Sequence, residues 1–398
     1  MGALSWLTDS LREFRDRGDK LLLALCLILS GCGVVLVYTA THYTGSARNV
    51  FVQIFAICLG VVLYILLSSV DFELFTQKTW KFIFPFCVGF ILLTRTPLGK
   101  SVNGNLSWIQ IPGIPMTIQP AEVAKVFFIL LLALQFSRLR GRGISKPGSI
   151  FFTAGHTLFM CGVIALASGD FGMALIYVFI FVIMAWSAGV KLRWFALTAA
   201  VLAAAAIFLW PRLVTLDVYF ITRIQVVIDH ITGNPDTLLA QTQGAGWQQS
   251  RSIMAIGSGG LTGMGFLQGT QTQSLSKNAL PARADDEIFA VCGEEFGMIG
   301  CLVLLALLAA IIIRCVWVSC RASSYQSALV AMGFAGMLAA QVCINVGMCL
   351  YVFPVVGITL PFVSAGGSSI ITMFASMGIV SSIKMRSLPS WLQDRREF

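Results

Sequence analysis

From residue 21 the chain alternates between long apolar runs and short polar breaks. A helix of about 20 apolar residues crosses a bilayer core. Ten such spans are predicted, at 21–41, 50–70, 82–94, 119–136, 150–167, 171–188, 194–213, 286–313, 326–350 and 358–383. The third is short, and the fifth and sixth divide one apolar region around Asp170. One break is long: residues 214–285 are too polar to lie in lipid and too long for a plain connector. The pattern predicts an all-α polytopic membrane protein of about ten transmembrane helices, with a long loop between helices 7 and 8. Residues 1–398 read as one integral membrane domain. Long apolar runs in place of short alternating strands set aside an outer-membrane barrel.

Composition agrees. The chain is 57% hydrophobic and only 11% charged, where soluble proteins carry about a quarter charged residues. Residues 1–20 are charged and lead into a full-length span, which reads as a cytoplasmic leader before an uncleaved first helix. The eleven cysteines lie in or beside apolar runs with no metal-binding spacing, so they read as small buried apolar residues. The net charge of +9 is unevenly placed. Arg12, Arg15, Arg17, Lys20, Arg138, Arg140, Arg142, Lys384 and Arg386 fall on one side with most of the other basic residues. Arg48, Arg95, Lys100, Arg212, Arg223, Arg251, Lys277 and Arg283 fall on the other. Short basic loops stay in the cytoplasm, which places both termini there, the tail 384–398 included, and puts 214–285 outside. The basic residues are topology determinants and contacts for anionic lipids, and no nucleic-acid partner is expected.

Within the long loop, IGSGGLTGMGFLQGTQTQ has no GxxxxGK[ST] for phosphate and no strand–helix context for a dinucleotide. It reads as a mobile loop on the membrane surface, with Leu261, Met264, Phe266 and Leu267 dipping between glycines.

Ionisable residues in spans are costly and mark function by default. Glu122 and Lys125, three apart at a helix start, share a face and can pair. They are either a self-neutralising pair that lets the helix insert or part of a site, and the structured segment before them, with amphipathic Trp108, favours a site. Asp170-Phe-Gly interrupts two apolar runs and by itself is ordinary turn chemistry. Asp285, Asp286 and Glu287 open the eighth span, where negative charge suits a helix start. Glu294 and Glu295 lie two turns deeper, beyond the reach of capping, and predict a polar cavity descending from the outer surface. A carboxylate there is a candidate general base or cation ligand. In the tenth span Ser364, Ala365, Gly366, Gly367, Ser368 and Ser369 serve close packing, cavity lining or both.

Several long segments in order resemble the shape, elongation, division and sporulation (SEDS) family, whose members include RodA, FtsW and SpoVE. GKSVNG with Trp108 and IQPAEVAK is similar to the family's NGA-x-x-W…QPSE-x-x-K. LPARADDEIFAVCGEEFG is similar to LPE-x-HTDFIFAV-x-x-EE-x-G, and NVGMCLYVFPVVGITLPFVSAGGSS to the final signature. The glycine loop is nearer the RodA version. The resemblance covers nearly the whole chain and implies ten helices around a lipid-facing cavity. It implies a peptidoglycan glycosyltransferase that polymerises lipid II into β-1,4 glycan strands outside the bacterial cytoplasmic membrane, for elongation and shape. It places the required aspartate on Asp286, the Glu and Lys after QPS on Glu122 and Lys125, and the QPD aspartate on Asp170. Trp108, Glu294, Glu295 and Ser368 fall on supporting or substrate-binding positions. The chain departs at Ser168-Gly169 for QP, Ser107 for Arg, Ala284 for His and Ala365 for Tyr.

For that reaction one carboxylate within reach of an acceptor hydroxyl suffices as base, and single displacement inverts the donor. Asp286 is assigned that role. A divalent cation, Mg2+ or Mn2+, held by Asp285, Asp286 and Glu287, could offset the leaving pyrophosphate. The implied partners are lipid II, a class B penicillin-binding protein transpeptidase and other elongation-complex membrane proteins. The alternative reading is a lipid II flippase, for which acids in a cavity are equally suited.

Overall fold

The computed structural model describes residues 3–102, 105–110, 113, 116–214, 219–233, 237–276 and 279–387. Helix α1 (Ala3–Arg17) precedes ten long helices that follow the predicted spans in order. These are α2 (Lys20–His42), α3 (Arg48–Ser68), α4 (Phe72–Leu92), α5 (Pro120–Arg140), α6 (Pro147–Ser168), α7 (Phe171–Ser187) and α8 (Leu192–Val214). After the long segment come α12 (Ile288–Cys320), α13 (Tyr325–Cys349) and α14 (Gly367–Met385). Eight of the described helices are long and apolar enough to cross a membrane; α7, at 17 residues, is apolar but shorter. The chain is an all-α polytopic membrane protein with one small exception, described below.

Two helix starts differ from the sequence reading by nine or ten residues. Helix α4 begins at Phe72, not 82, and includes Lys78 and Lys81. The Lys81 ammonium and the Arg138 guanidinium flank the Trp80 ring, 5.8 and 4.7 Å from its centre. These cationic side chains are exposed and stack on an aromatic ring instead of being buried, so charge does not stop the helix. Helix α14 begins at Gly367, not 358. Pro361 lacks an N–H, and Gly357 and Phe362 sit at φ +70° and +64°, so 358–366 turns instead of extending the helix.

The exception to all-α is a three-stranded antiparallel sheet, β1 (Gly99–Val102), β2 (Asn105–Gln110) and β3 (Thr117–Ile118), between α4 and α5. It sets Lys100 opposite Trp108. The long segment is not a plain loop either, and contains α9 (Tyr219–Thr232), α10 (Leu238–Thr242) and α11 (Trp247–Gly259).

Close packing of α3 on α14 explains two glycines. A Cβ at Gly60 would lie 2.8 Å from the Phe374 ring, and one at Gly378 would lie 2.8 Å from the Tyr64 backbone. At the end of the bundle remote from the sheet, Asp19 caps α2 through Leu22 N (3.2 Å) and takes two bonds from Arg314, at 2.9 and 3.1 Å. All eleven cysteines are free; Cys26, Cys87, Cys292, Cys301, Cys315 and Cys349 are buried as expected, whereas Cys58, Cys320 and Cys343 are exposed on the surface of the bundle. Residues 388–398, most of the predicted tail, lie outside the described residues.

Candidate active site

A cavity of about 760 Å³ opens at the end of the bundle that carries the sheet and the long segment. Three chain turns bring acids to it.

The first is the start of α5. Pro120 opens the helix, where its missing N–H costs nothing. Glu122 and Lys125, one turn apart, form an ion pair of 2.6 Å with side chains only 3% and 0% exposed. Glu122 lines the cavity; Lys125 does not.

The second is the turn between α6 and α7. Gly169 ends α6 at φ +68°. Asp170 then caps α7, accepting from Met173 N at 2.9 Å, while its other oxygen accepts from Gln119 Nε2 at 2.9 Å. Burial pushes its carboxyl upward, and these two hydrogen bonds oppose the shift. Asp170 is therefore both the turn residue its sequence suggests and a cavity residue. Ser107, also in the lining, donates to Ser168 O at 3.4 Å.

The third is the turn 282–287, which presents Asp285 and Asp286 to the cavity. Its backbone is gripped at three successive carbonyls. Ala365 N donates to Ala284 O (2.8 Å), Ser364 Oγ to Asp285 O (2.6 Å) and Asn345 Nδ2 to Asp286 O (2.8 Å). Asn345 also donates to Ile358 O at 2.7 Å, joining the turn to the segment after α13. A Cβ at Gly357 would lie 3.7 Å from Asp286 Oδ2, so the backbone passes close over the carboxyl. Surrounding protein pushes Asp286 up to about 7, with the charges of Asp285, Glu287 and Asp170 adding and that of Arg223 opposing. Surrounding protein also raises Asp285, to about 6, although it is the more exposed of the two. Asp286 thus combines a position on the cavity with a proton affinity suited to a base near neutral pH.

Sequence reasoning missed the basic lining. Arg48, Lys100 and Arg223 all reach the cavity, and Arg223 also donates to Val355 O. The available signal was topological: all three lie on the side that short basic loops avoid. Trp108, on β2, lines the same cavity. Ala365, Gly366 and Gly367 line it as well; Ser368 does not, and its Oγ is buried without a hydrogen-bond partner.

The deeper acids are a correction. Glu294 and Glu295 do not line the cavity. Glu294 accepts from Gln271 N (2.6 Å), Thr272 N (2.7 Å), Thr272 Oγ1 (2.5 Å) and Thr270 Oγ1 (3.1 Å). Glu295 accepts from Leu267 N (3.1 Å) and Gln273 Nε2 (2.8 Å). The glycine segment supplies these donors, so it is docked on α12 and does not lie free on a membrane surface. Met264 N and Gly265 N add bonds to Glu294 O and Glu295 O, at 2.9 and 3.1 Å. Glycine is required there: a Cβ at Gly259 would lie 1.9 Å from Gly293 O, and Gly263 sits at φ +85°.

Glu287 also faces away from the cavity, toward α11, and accepts from Gln248 Nε2 at 3.0 Å. Asp285, Asp286 and Glu287 therefore do not converge as a cation site. Among the described residues no three His, Cys, Asp or Glu side chains do.

Comparisons with known proteins extend over the same residues. The peptidoglycan glycosyltransferase MrdB of Escherichia coli strain K12 is 30% identical over 360 residues, covering 88% of this chain and 90% of its own. Stage V sporulation protein E of Bacillus subtilis strain 168 is 30% identical over 377 residues, covering 93% and 97%. Among solved structures, a chain of a peptidoglycan synthase complex that coordinates polymerization and crosslinking superposes with TM-score 0.72. It is 27% identical, with 96% of this chain and 99% of that one covered. The rod shape determining protein RodA of Thermus thermophilus matches with TM-score 0.64 at 25% identity, covering 94% and 98%. The model of the cell cycle protein family FtsW/RodA/SpoVE matches residues 19–388, and the chain is a member of that family.

Proposed function

We propose that this membrane protein is a peptidoglycan glycosyltransferase that polymerises lipid II, with Asp286 as its general base. The observation that carries the reading is one cavity lined by a carboxyl pushed up to about 7 and by three basic side chains. In the reaction the 4-hydroxyl of an acceptor GlcNAc attacks the anomeric carbon of the donor sugar. Its proton passes to Asp286, the bond to the lipid pyrophosphate breaks, and inversion yields a β-1,4 link. A pyrophosphate needs its charge offset more than it needs a proton. Arg48, Lys100 and Arg223 supply that charge from the cavity wall. Glu122, held by Lys125, and Asp170, held by Gln119, shape the remaining polar wall, and Trp108 offers a flat apolar face to a sugar ring. Of the three acids that open the eighth span, Asp285 and Asp286 line the cavity and Glu287 does not, and no step here is routed through a cation.

Relatives of this chain are peptidoglycan glycosyltransferases, and a structural neighbour belongs to a complex that couples polymerization to crosslinking. These support a crosslinking partner, in the form of a class B penicillin-binding protein. The distribution of basic residues supports cytoplasmic termini and a cavity facing out of the cytoplasmic membrane. A role in elongation rests on the RodA-like glycine segment.

The test is polymer formation from labelled lipid II by purified protein in detergent, where no membrane barrier exists and transport yields no product. Asp286→Asn removes a base worth about 100- to 10,000-fold and should lower the rate by at least the smaller factor. Asp285→Ala should be milder. Wild-type polymerisation by Asp286→Asn, with Asp285→Ala inactive, would transfer the role to Asp285. Absence of polymer from wild type would return the reading to a flippase.

A further inference from the structure

Arg283 precedes Asp286 by three residues, yet it does not line the cavity and takes no part in the reaction above. It is buried, with 7% of its surface exposed. Its guanidinium is committed to backbone on two segments. Nε donates to Leu280 O at 3.0 Å; one terminal nitrogen donates to Thr272 O and to Ser274 O, the latter at 3.1 Å. The guanidinium carbon lies 3.9 Å from the centre of the Tyr43 ring at the end of α2. A planar fork with fixed donor directions suits this arrangement, and an ammonium does not.

The segment that Arg283 grips is itself pinned. Glu294 takes both the N–H and the hydroxyl of Thr272, together with Gln271 N and the Thr270 hydroxyl. A continuous path of hydrogen bonds therefore runs from α12 through 270–274 and Arg283 to the turn 282–287. On the opposite side of that turn stand Asn345, Ser364 and Ala365. Of these two sides, only the Asn345 side touches the carbonyls of the Asp pair directly. The Arg283 side ties the turn to segment 272–274 and to Leu280 instead.

We propose that Arg283 is a positioning residue for the Asp286 carboxylate, acting with Glu294 to lock segment 270–274 to the turn that presents it. The proposal rests on Asp286 being the base. A displacement of about 1 Å in a reacting group costs about a hundredfold in rate, and a turn released on one side moves by that order. A loosened turn also admits water to the carboxyl, which lowers its proton affinity.

The experiment measures kcat, KM for lipid II and the pH profile of polymerisation on the full-length protein in detergent, with thermal unfolding beside it. The variants are Arg283→Gln, Arg283→Lys, Glu294→Gln, the Arg283→Gln/Glu294→Gln double and Asp286→Asn. Arg283→Gln should lower kcat about a hundredfold, leave KM within about twofold, and move the acid limb to lower pH. Arg283→Lys should recover part of kcat. Glu294→Gln should show the same kcat and pH signature, and the double variant should lose little beyond either single. A folded Arg283→Gln with wild-type kcat and acid limb overturns the proposal, as do losses that multiply in the double. Should Arg283→Gln fail to fold, Glu294→Gln decides, and wild-type kcat and pH profile there overturn it. Wild-type rates from Asp286→Asn would overturn the base assignment and this proposal with it. An inactive Asp286→Asn beside an unaffected Arg283→Gln would overturn the positioning role alone.

Discussion

Replacing Lys125 by methionine keeps the side chain's length and removes the ammonium 2.6 Å from Glu122 Oε2. The carboxylate left behind is 3% exposed, so bulk water cannot take the ammonium's place. Breaking a buried pair from one side costs about 3–5 kcal/mol, and Glu122→Gln, which strands the ammonium, should cost a similar amount. The double change Glu122→Gln/Lys125→Met leaves two neutral groups of nearly the same shape and should return to within about 1–2 kcal/mol of wild type. The coupling energy then exceeds about 3 kcal/mol, more than a hundredfold in the unfolding equilibrium. Thermal unfolding in detergent, followed by a thiol-reactive dye, reads this as labelling of the buried, free Cys87, Cys292, Cys315 and Cys349 above the constant labelling of exposed Cys58, Cys320 and Cys343. Activity should behave differently. Glu122 lines the cavity and Lys125 does not, so the double variant should regain stability without regaining polymerisation. Losses that add within about 0.5 kcal/mol would refute the pairing argument. Full recovery of activity would reduce Glu122 to an insertion device.

The pH dependence should follow Asp286. A base acts deprotonated, so with its carboxyl pushed to about 7 the rate should rise with pH to half-maximum near that value, and a flat profile from about pH 5 to pH 8 would count against it. A folded value raised above the ordinary one also contributes stability that is full at acid pH and is lost as pH rises through about 7. Asp286→Asn should flatten that part of the stability curve, and an unchanged curve would contradict the assignment. Gly263→Ala would place a Cβ 2.1 Å from Glu295 O at φ +85°, so the glycine segment should leave α12. Amide exchange at Met264 and Gly265 should accelerate, and unchanged exchange would show the docking to be unimportant.

Hydropathy alone marked the order of the long apolar helices, eight of which, among the described residues, are long and apolar enough to span, because insertion into lipid depends on local composition and length. It also marked the acid turn, the Glu122–Lys125 spacing and Asp170 as expensive and hence informative. Local pattern misjudged where α4 and α14 begin, since the stacking of Lys81 and Arg138 on Trp80 and the turns at Gly357 and Phe362 depend on what packs nearby. The resemblance to a family supplied roles, and Asp286, Glu122, Asp170 and Trp108 do converge on the cavity, whereas Lys125, Glu294, Glu295 and Ser368 do not. The sequence placed Glu287, Glu294 and Glu295 at and just beyond the start of α12 but could not say what that stretch meets. It meets α11 and the glycine segment, so Glu294 and Glu295 hold a loop where a cavity had been predicted. Likewise Arg48, Lys100, Arg223 and Asn345 come from four distant parts of the chain. A side chain's chemistry is written in the sequence, but its partners are set by which helices pack together, and here that packing decided which acids face the cavity and which are spent on hydrogen bonds.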